Sequence, residues 1–88
     1  MKLLIAIIQD NDNDKVSNAL TDEGYRVTFI ASTGGFLRSG RSTLLIGTED
    51  ESVKHALEII REAAGAPKDA KEKKAVVFVL NAEEFVQL

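Results

Sequence analysis

Two stretches of this chain, Leu3-Leu4-Ile5-Ala6-Ile7-Ile8 and Ala75-Val76-Val77-Phe78-Val79-Leu80, are apolar at every position. A strand with one wetted face alternates apolar and polar residues, whereas a short unbroken apolar run suits a strand shielded on both faces. The chain has 88 residues, one domain spanning 1–88, and a domain this small buries only about two thirds of its unfolded surface when alone. Cysteine is absent and His55 is the single histidine. Disulfides and zinc-thiolate sites therefore cannot supplement the core. Both faces of the sheet must be covered with very little chain.

Between the two apolar runs the pattern changes several times. Asn11-Asp12-Asn13-Asp14 is a cluster of helix-capping residues, followed by Val16, Ala19 and Leu20 at helical spacing, with Gly24 closing the helix. Tyr25 to Ala31 alternates as a strand, with Tyr25, Val27 and Phe29 on one side and Arg26, Thr28 and Ile30 on the other. Thr43 to Gly47 reads as a third strand, and Thr48-Glu49-Asp50-Glu51 as a capping box. Val53, Ala56, Leu57, Ile60 and Ala64 then mark one face of a second helix, stopped by Gly65 and Pro67. Lys68 to Lys74 is a charged connector into the last apolar strand, and Asn81 to Leu88 forms a short turn or strand carrying Phe85 and Val86.

The order β-α-β-β-α-β predicts an α+β, ferredoxin-like domain in which two helices cover one face of an antiparallel sheet. The other face still needs a cover, and the economical one is another copy of the same sheet. A homo-oligomer with sheets packed inward is expected, with Tyr25 and Phe29 as packing residues.

The loop from Thr33 to Thr43 places glycines, arginines, hydroxyls and the apolar pair Phe36-Leu37 between two strands. Glycine lets backbone N–H groups approach an anion, and arginine adds forked, charge-assisted donors. An ordinary surface hairpin collects glycine too, but an apolar pair at its tip costs solvation unless something covers it. The loop suits an anion joined to a flat ring.

At this point the chain resembles the PII-like signal proteins, specifically the cyclic-di-AMP receptor branch. The resemblance runs through Lys2-Leu3 to Gln9-Asp10, Ala19-Leu20-Thr21 to Glu23-Gly24-Tyr25-Arg26-Val27-Thr28, Thr33-Gly34-Gly35-Phe36-Leu37, Ile46-Gly47 with Glu49-Asp50-Glu51, and Val77-Phe78-Val79-Leu80. It implies a homotrimer with nucleotide sites in the clefts between neighbouring subunits. It also implies ligand contacts from Arg26, Thr28, Gly35, Phe36, Leu37 and Gly47. Where the receptor pattern has an asparagine that reads the base, this chain has Arg41, which cannot accept a hydrogen bond and brings a full charge. The receptors also carry a long loop with Gly-Gly before the last strand, whereas here Lys71-Glu72-Lys73-Lys74 leads directly into Ala75-Val76-Val77-Phe78. Arg41 joins the ligand-binding set as the altered position.

The expected ligand is cyclic-di-AMP or another cyclic dinucleotide, with ATP, ADP or AMP, a metal, or no ligand at all as alternatives, and no cofactor. Soft-metal binding is disfavoured by the absence of cysteine and near absence of histidine. Asp10, Asp12 and Asp14 alternate as in a calcium loop, but Lys15 and Thr21 occupy the places that need glycine and an acid, so capping is the better reading. His55 lies beside Lys54 off the apolar stripe and reads as solvated. No motif sets a nucleophile beside a base, which argues against an enzyme.

A net charge of −3 with interspersed lysine and arginine argues against a nucleic-acid polymer or an anionic membrane as partner. Leu3–Ile8 is too short to span a bilayer and no cleavage pattern follows, so a cytoplasmic protein is expected. A protein target that reads the Ser32 to Ser42 loop is implied by the fold and left unnamed by the residues.

Overall fold

The computed structural model describes residues 1–33, 40–66 and 73–88, with side chains described outside 31–33. Strand β1 runs over Lys2–Gln9, β2 over Arg26–Thr33, β3 over Arg41–Thr48 and β4 over Ala75–Asn81. Helix α1 spans Asn13–Asp22 and α2 spans Val53–Ala63, each entered through a 3-10 turn, Asp10–Asp12 and Asp50–Ser52. The strands form one antiparallel sheet in the order β2-β3-β1-β4. This is the ferredoxin-like arrangement expected from the element order, and the strand cores stand where the apolar patterns put them.

The pleat of β1 divides its apolar run between two destinations. Leu4, Ala6 and Ile8 are fully buried beneath the helices, joined by Leu44 and Ile46 of β3, Val16 and Leu20 of α1, and Ala56, Ile60 and Ala64 near α2. On the opposite face Leu3, Ile5 and Ile7 are only half-buried. Their cross-strand partners there are Leu80, Phe78 and Val76 of β4, and Leu45 and Thr43 of β3. Phe78 is 53% exposed in the single chain. An apolar surface this continuous over three adjacent strands marks an interaction face rather than scattered surface residues.

Local signals end the elements. Gly24 has φ of +91°, a conformation that favours glycine, and closes α1 as its N–H donates to Thr21 O while the Tyr25 N–H reaches back to Leu20 O. Before α2 the local signal misleads: Thr48 is the last residue of β3 and its hydroxyl donates to Glu49 O, with no capping contact to the helix. The inserted 3-10 turn moves the first helical residue to Val53, beyond the reach of a Thr48 cap. Alternation also breaks in β2, where a bulge between Phe29 and Ala31 lets Ala31, not Ile30, pair with Thr43. Tyr25 packs against the core as expected, whereas Phe29 is 49% exposed. The tail expectation changes too, for no strand follows Asn81 and residues 82–88 have no regular hydrogen-bonded structure.

One polar tie joins the far ends of the fold. Asp12 is buried, and its carboxylate accepts from the Gln9 side-chain amide at 3.2 Å and from the Gly65 N–H at 3.0 Å. It therefore links β1 and the entrance of α1 to the segment leaving α2, instead of capping its own helix. A Cβ on Gly65 would lie 3.2 Å from the same carboxylate, which explains a glycine there. Asp12→Ala leaves the Gly65 N–H without an acceptor and the Gln9 amide with only its 3.3 Å bond to Gly65 O, and is expected to lower unfolding free energy by about 2 kcal/mol, read by urea denaturation at fixed protein concentration.

Candidate functional site

Antiparallel register, not sequence proximity, assembles the strongest candidate site. Arg26 lies opposite Gly47 and Thr28 opposite Leu45 across the β2–β3 pairing, while Leu3 of β1 flanks Gly47 on its other side. Arg26, Thr28, Leu45 and Gly47 line a cavity of about 600 Å³, together with Leu3, Tyr25 and the C-terminal Phe85. A charged donor, a hydroxyl and an apolar floor thus converge on one opening, the mix that a nucleotide's phosphate, base edge and base face require.

Gly47 explains the opening beside Arg26. It has no positive φ, and a Cβ built on it meets no atom within 4 Å. Neither backbone conformation nor packing around the Cβ position requires a glycine among the described residues, and its lack of a side chain leaves that space open.

A second cavity of about 450 Å³ adjoins the first and shares Arg26, Gly47 and Phe85 with it. Its far wall carries a hydrogen-bonded cluster: the Tyr25 hydroxyl donates to Ser52 O at 3.3 Å and meets His55 Nδ1 at 2.7 Å. His55 Nε2 lies 3.7 Å from a Glu23 carboxylate oxygen. His55 is exposed, as its place off the apolar stripe predicts, yet it is tied to Tyr25 rather than simply solvated. The acidic cluster near the start is likewise absorbed locally. Ser42 donates to Asp10 at 2.6 Å, and Asp12 forms the tie to Gly65.

Among the described residues, the one remaining sequence-derived candidate, Arg41, does not line this cavity. Arg41 begins β3 while Gly47 lies near its end, about 20 Å away at a rise of about 3.4 Å per residue. Gly35, Phe36 and Leu37 lie outside the described residues. Phe85, in contrast, carries no ligand motif in the sequence, yet it stands on the cavity with the Arg26 guanidinium 5.6 Å from its ring centroid. Its only sequence signal was an aromatic in a polar tail.

Gly47→Val should leave the ligand-free melting temperature and the oligomeric mass of the parent unchanged, because the added Cβ meets no atom within 4 Å. Differential scanning calorimetry and light scattering check this; a drop of several degrees would mean that the glycine serves the fold instead.

Comparison with known proteins agrees with this architecture. A crystal structure of a functionally unknown protein from Pediococcus pentosaceus ATCC 25745 is similar to this chain with a TM-score of 0.76 and 39% sequence identity, covering 99% of this chain and 96% of that one. The family model for the cyclic-di-AMP receptor matches residues 1–71, a span that includes Arg26, Thr28, Arg41 and Gly47. On that match, the chain belongs to the PII-like cyclic-di-AMP receptor family.

Proposed function

We propose that the chain is a homotrimeric, cytoplasmic signalling receptor and not an enzyme, binding cyclic-di-AMP in clefts between neighbouring subunits. Membership of the receptor family supports nucleotide binding. The observation that carries the particular site is the convergence of Arg26, Thr28 and Gly47 on one cavity at the edge of an uncovered apolar sheet face. Arg26 supplies charge to a phosphate, Thr28 a hydroxyl to phosphate or base, and Gly47 the close approach of ligand to backbone.

The uncovered face and the split of candidates along β3 support the intersubunit part of this reading. A separation of about 20 Å is too long for one phosphate or base to bridge, so Arg41 acts on a ligand held at Gly47 only when a second subunit supplies one of the two ends. Gly35, Phe36 and Leu37 belong by sequence to the Arg41 end of the hairpin and form the proposed closing wall. Ligand binding then rearranges the loop between β2 and β3, narrower than the Ser32 to Ser42 span read from the sequence because both of those residues are paired in strands, for a protein target to read. No helix among the described residues is long and apolar enough to cross a membrane.

Two measurements test the reading. Light scattering at micromolar concentration should give about three times the 9.6 kDa chain mass, since a C3 assembly buries the apolar faces together; a persistent folded monomer would remove the intersubunit site. Cyclic-di-AMP at a hundredfold excess over its Kd should stabilise the parent by about 2.7 kcal/mol in thermal-shift titration. Gly47→Val should abolish that shift.

Arg41 favours a second arm with ATP, ADP and AMP. Its full charge, where the receptor pattern has asparagine, suits phosphate-rich ligands, whose binding weakens as salt screens the pair. Arg41→Asn is expected to move preference toward cyclic-di-AMP over ATP and to flatten the salt dependence, and Arg41→Ala to weaken both ligands. Titration calorimetry at two salt concentrations checks this, and identical affinities and slopes in all three proteins would remove Arg41 from recognition.

A further inference from the structure

The cavity that holds Arg26, Thr28 and Gly47 has a wall contributed by residues beyond the family match. That match ends at residue 71, yet Ala82, Phe85 and Gln87 line the same opening. The strand register accounts for their arrival. Lys2 pairs with Thr48 on one side and with Asn81 on the other, so β4 finishes at the same end of the sheet as Gly47. The Ala82 N–H then donates to Met1 O at 3.0 Å, fixing where the tail begins.

Phe85 occupies a specific place in this wall. Its ring lies under the Arg26 guanidinium at 5.6 Å and borders both neighbouring cavities, while remaining 51% exposed. A guanidinium over an aromatic face is attracted by the ring quadrupole and retains its charge for a phosphate. Held there, Arg26 has less rotamer freedom to lose when that phosphate arrives. The accessible part of the ring offers a flat apolar surface of the kind on which a nucleobase stacks.

Resting on the nucleotide-binding reading above, we propose that Phe85 is a further ligand-recognition residue: it positions Arg26 for the phosphate and supplies an aromatic wall for the base. The C-terminal segment is thereby part of the site and not a trailing end. Leucine at this position keeps apolar bulk but lacks the quadrupole and the flat face, whereas tryptophan keeps both.

The test compares parent, Phe85→Leu and Phe85→Trp by titration calorimetry with cyclic-di-AMP, ATP, ADP and AMP. For whichever nucleotide the parent binds, Phe85→Leu should weaken affinity about tenfold and Phe85→Trp should stay within about twofold of the parent. All three should share a ligand-free melting temperature and mass. In the ligand-free protein, NMR of the Arg26 side chain should lose its ring-current shift in Phe85→Leu and keep one in Phe85→Trp, a change that a structural role elsewhere does not produce. Parent binding with unchanged or tighter affinity in Phe85→Leu overturns the inference and leaves the nucleotide reading standing. A parent that binds none of the four nucleotides overturns that reading and this inference with it.

Discussion

The whole arrangement depends on β1 being apolar on both faces while α1 and α2 cover one of them. Leu4, Ala6 and Ile8 are removed from water by α1 and α2. Leu3, Ile5 and Ile7 point the other way, with Phe78 and Leu45 beside Ile5. Among the described residues that second face stays open, with Phe78 53% exposed. The proposed trimer supplies the missing layer, and a cleft at the rim of that layer is a natural consequence of sheets meeting edge to face.

The two ends of the sheet are used differently. At one end Gln9, Asp12 and Gly65 form a buried polar tie that fixes the two helices relative to β1. At the other, Gly47 leaves open space, Arg26 projects toward it, and the helix-ending turn at Gly24 sets Tyr25 between the core and the Ser52–His55 cluster. Arg26 and Thr28 of the proposed site stand at this second end, and in the proposed trimer Arg41, which pairs with Gln9 at the first, reaches the ligand from a neighbouring subunit.

Particular residues show how much could be read in advance. The strands, both helices and the family followed from the Leu3–Ile8 and Ala75–Leu80 runs, the periodicity through Val16 to Leu20 and Val53 to Ala64, and motifs such as Glu23-Gly24-Tyr25-Arg26-Val27-Thr28. Those signals are local or repeated, so a single chain displays them. The Thr48 cap failed because a 3-10 turn competes with direct helix entry, and the spacing of four residues cannot distinguish the two. The bulge at Ile30 is equally silent, since its cause lies in pairing with β3.

The sequence alone determined the burial pattern, the order of elements and the residue types available for phosphate recognition, because hydrophobic periodicity and side-chain chemistry are properties of the chain itself. Only the tertiary structure decided which of those residues share a cavity. Arg26 meets Gly47 through strand register, Phe85 reaches them because β4 ends beside Lys2, and Arg41 is carried to the opposite end of β3. Such juxtapositions depend on hydrogen bonding between segments distant in the chain, and linear spacing carries no record of that pairing.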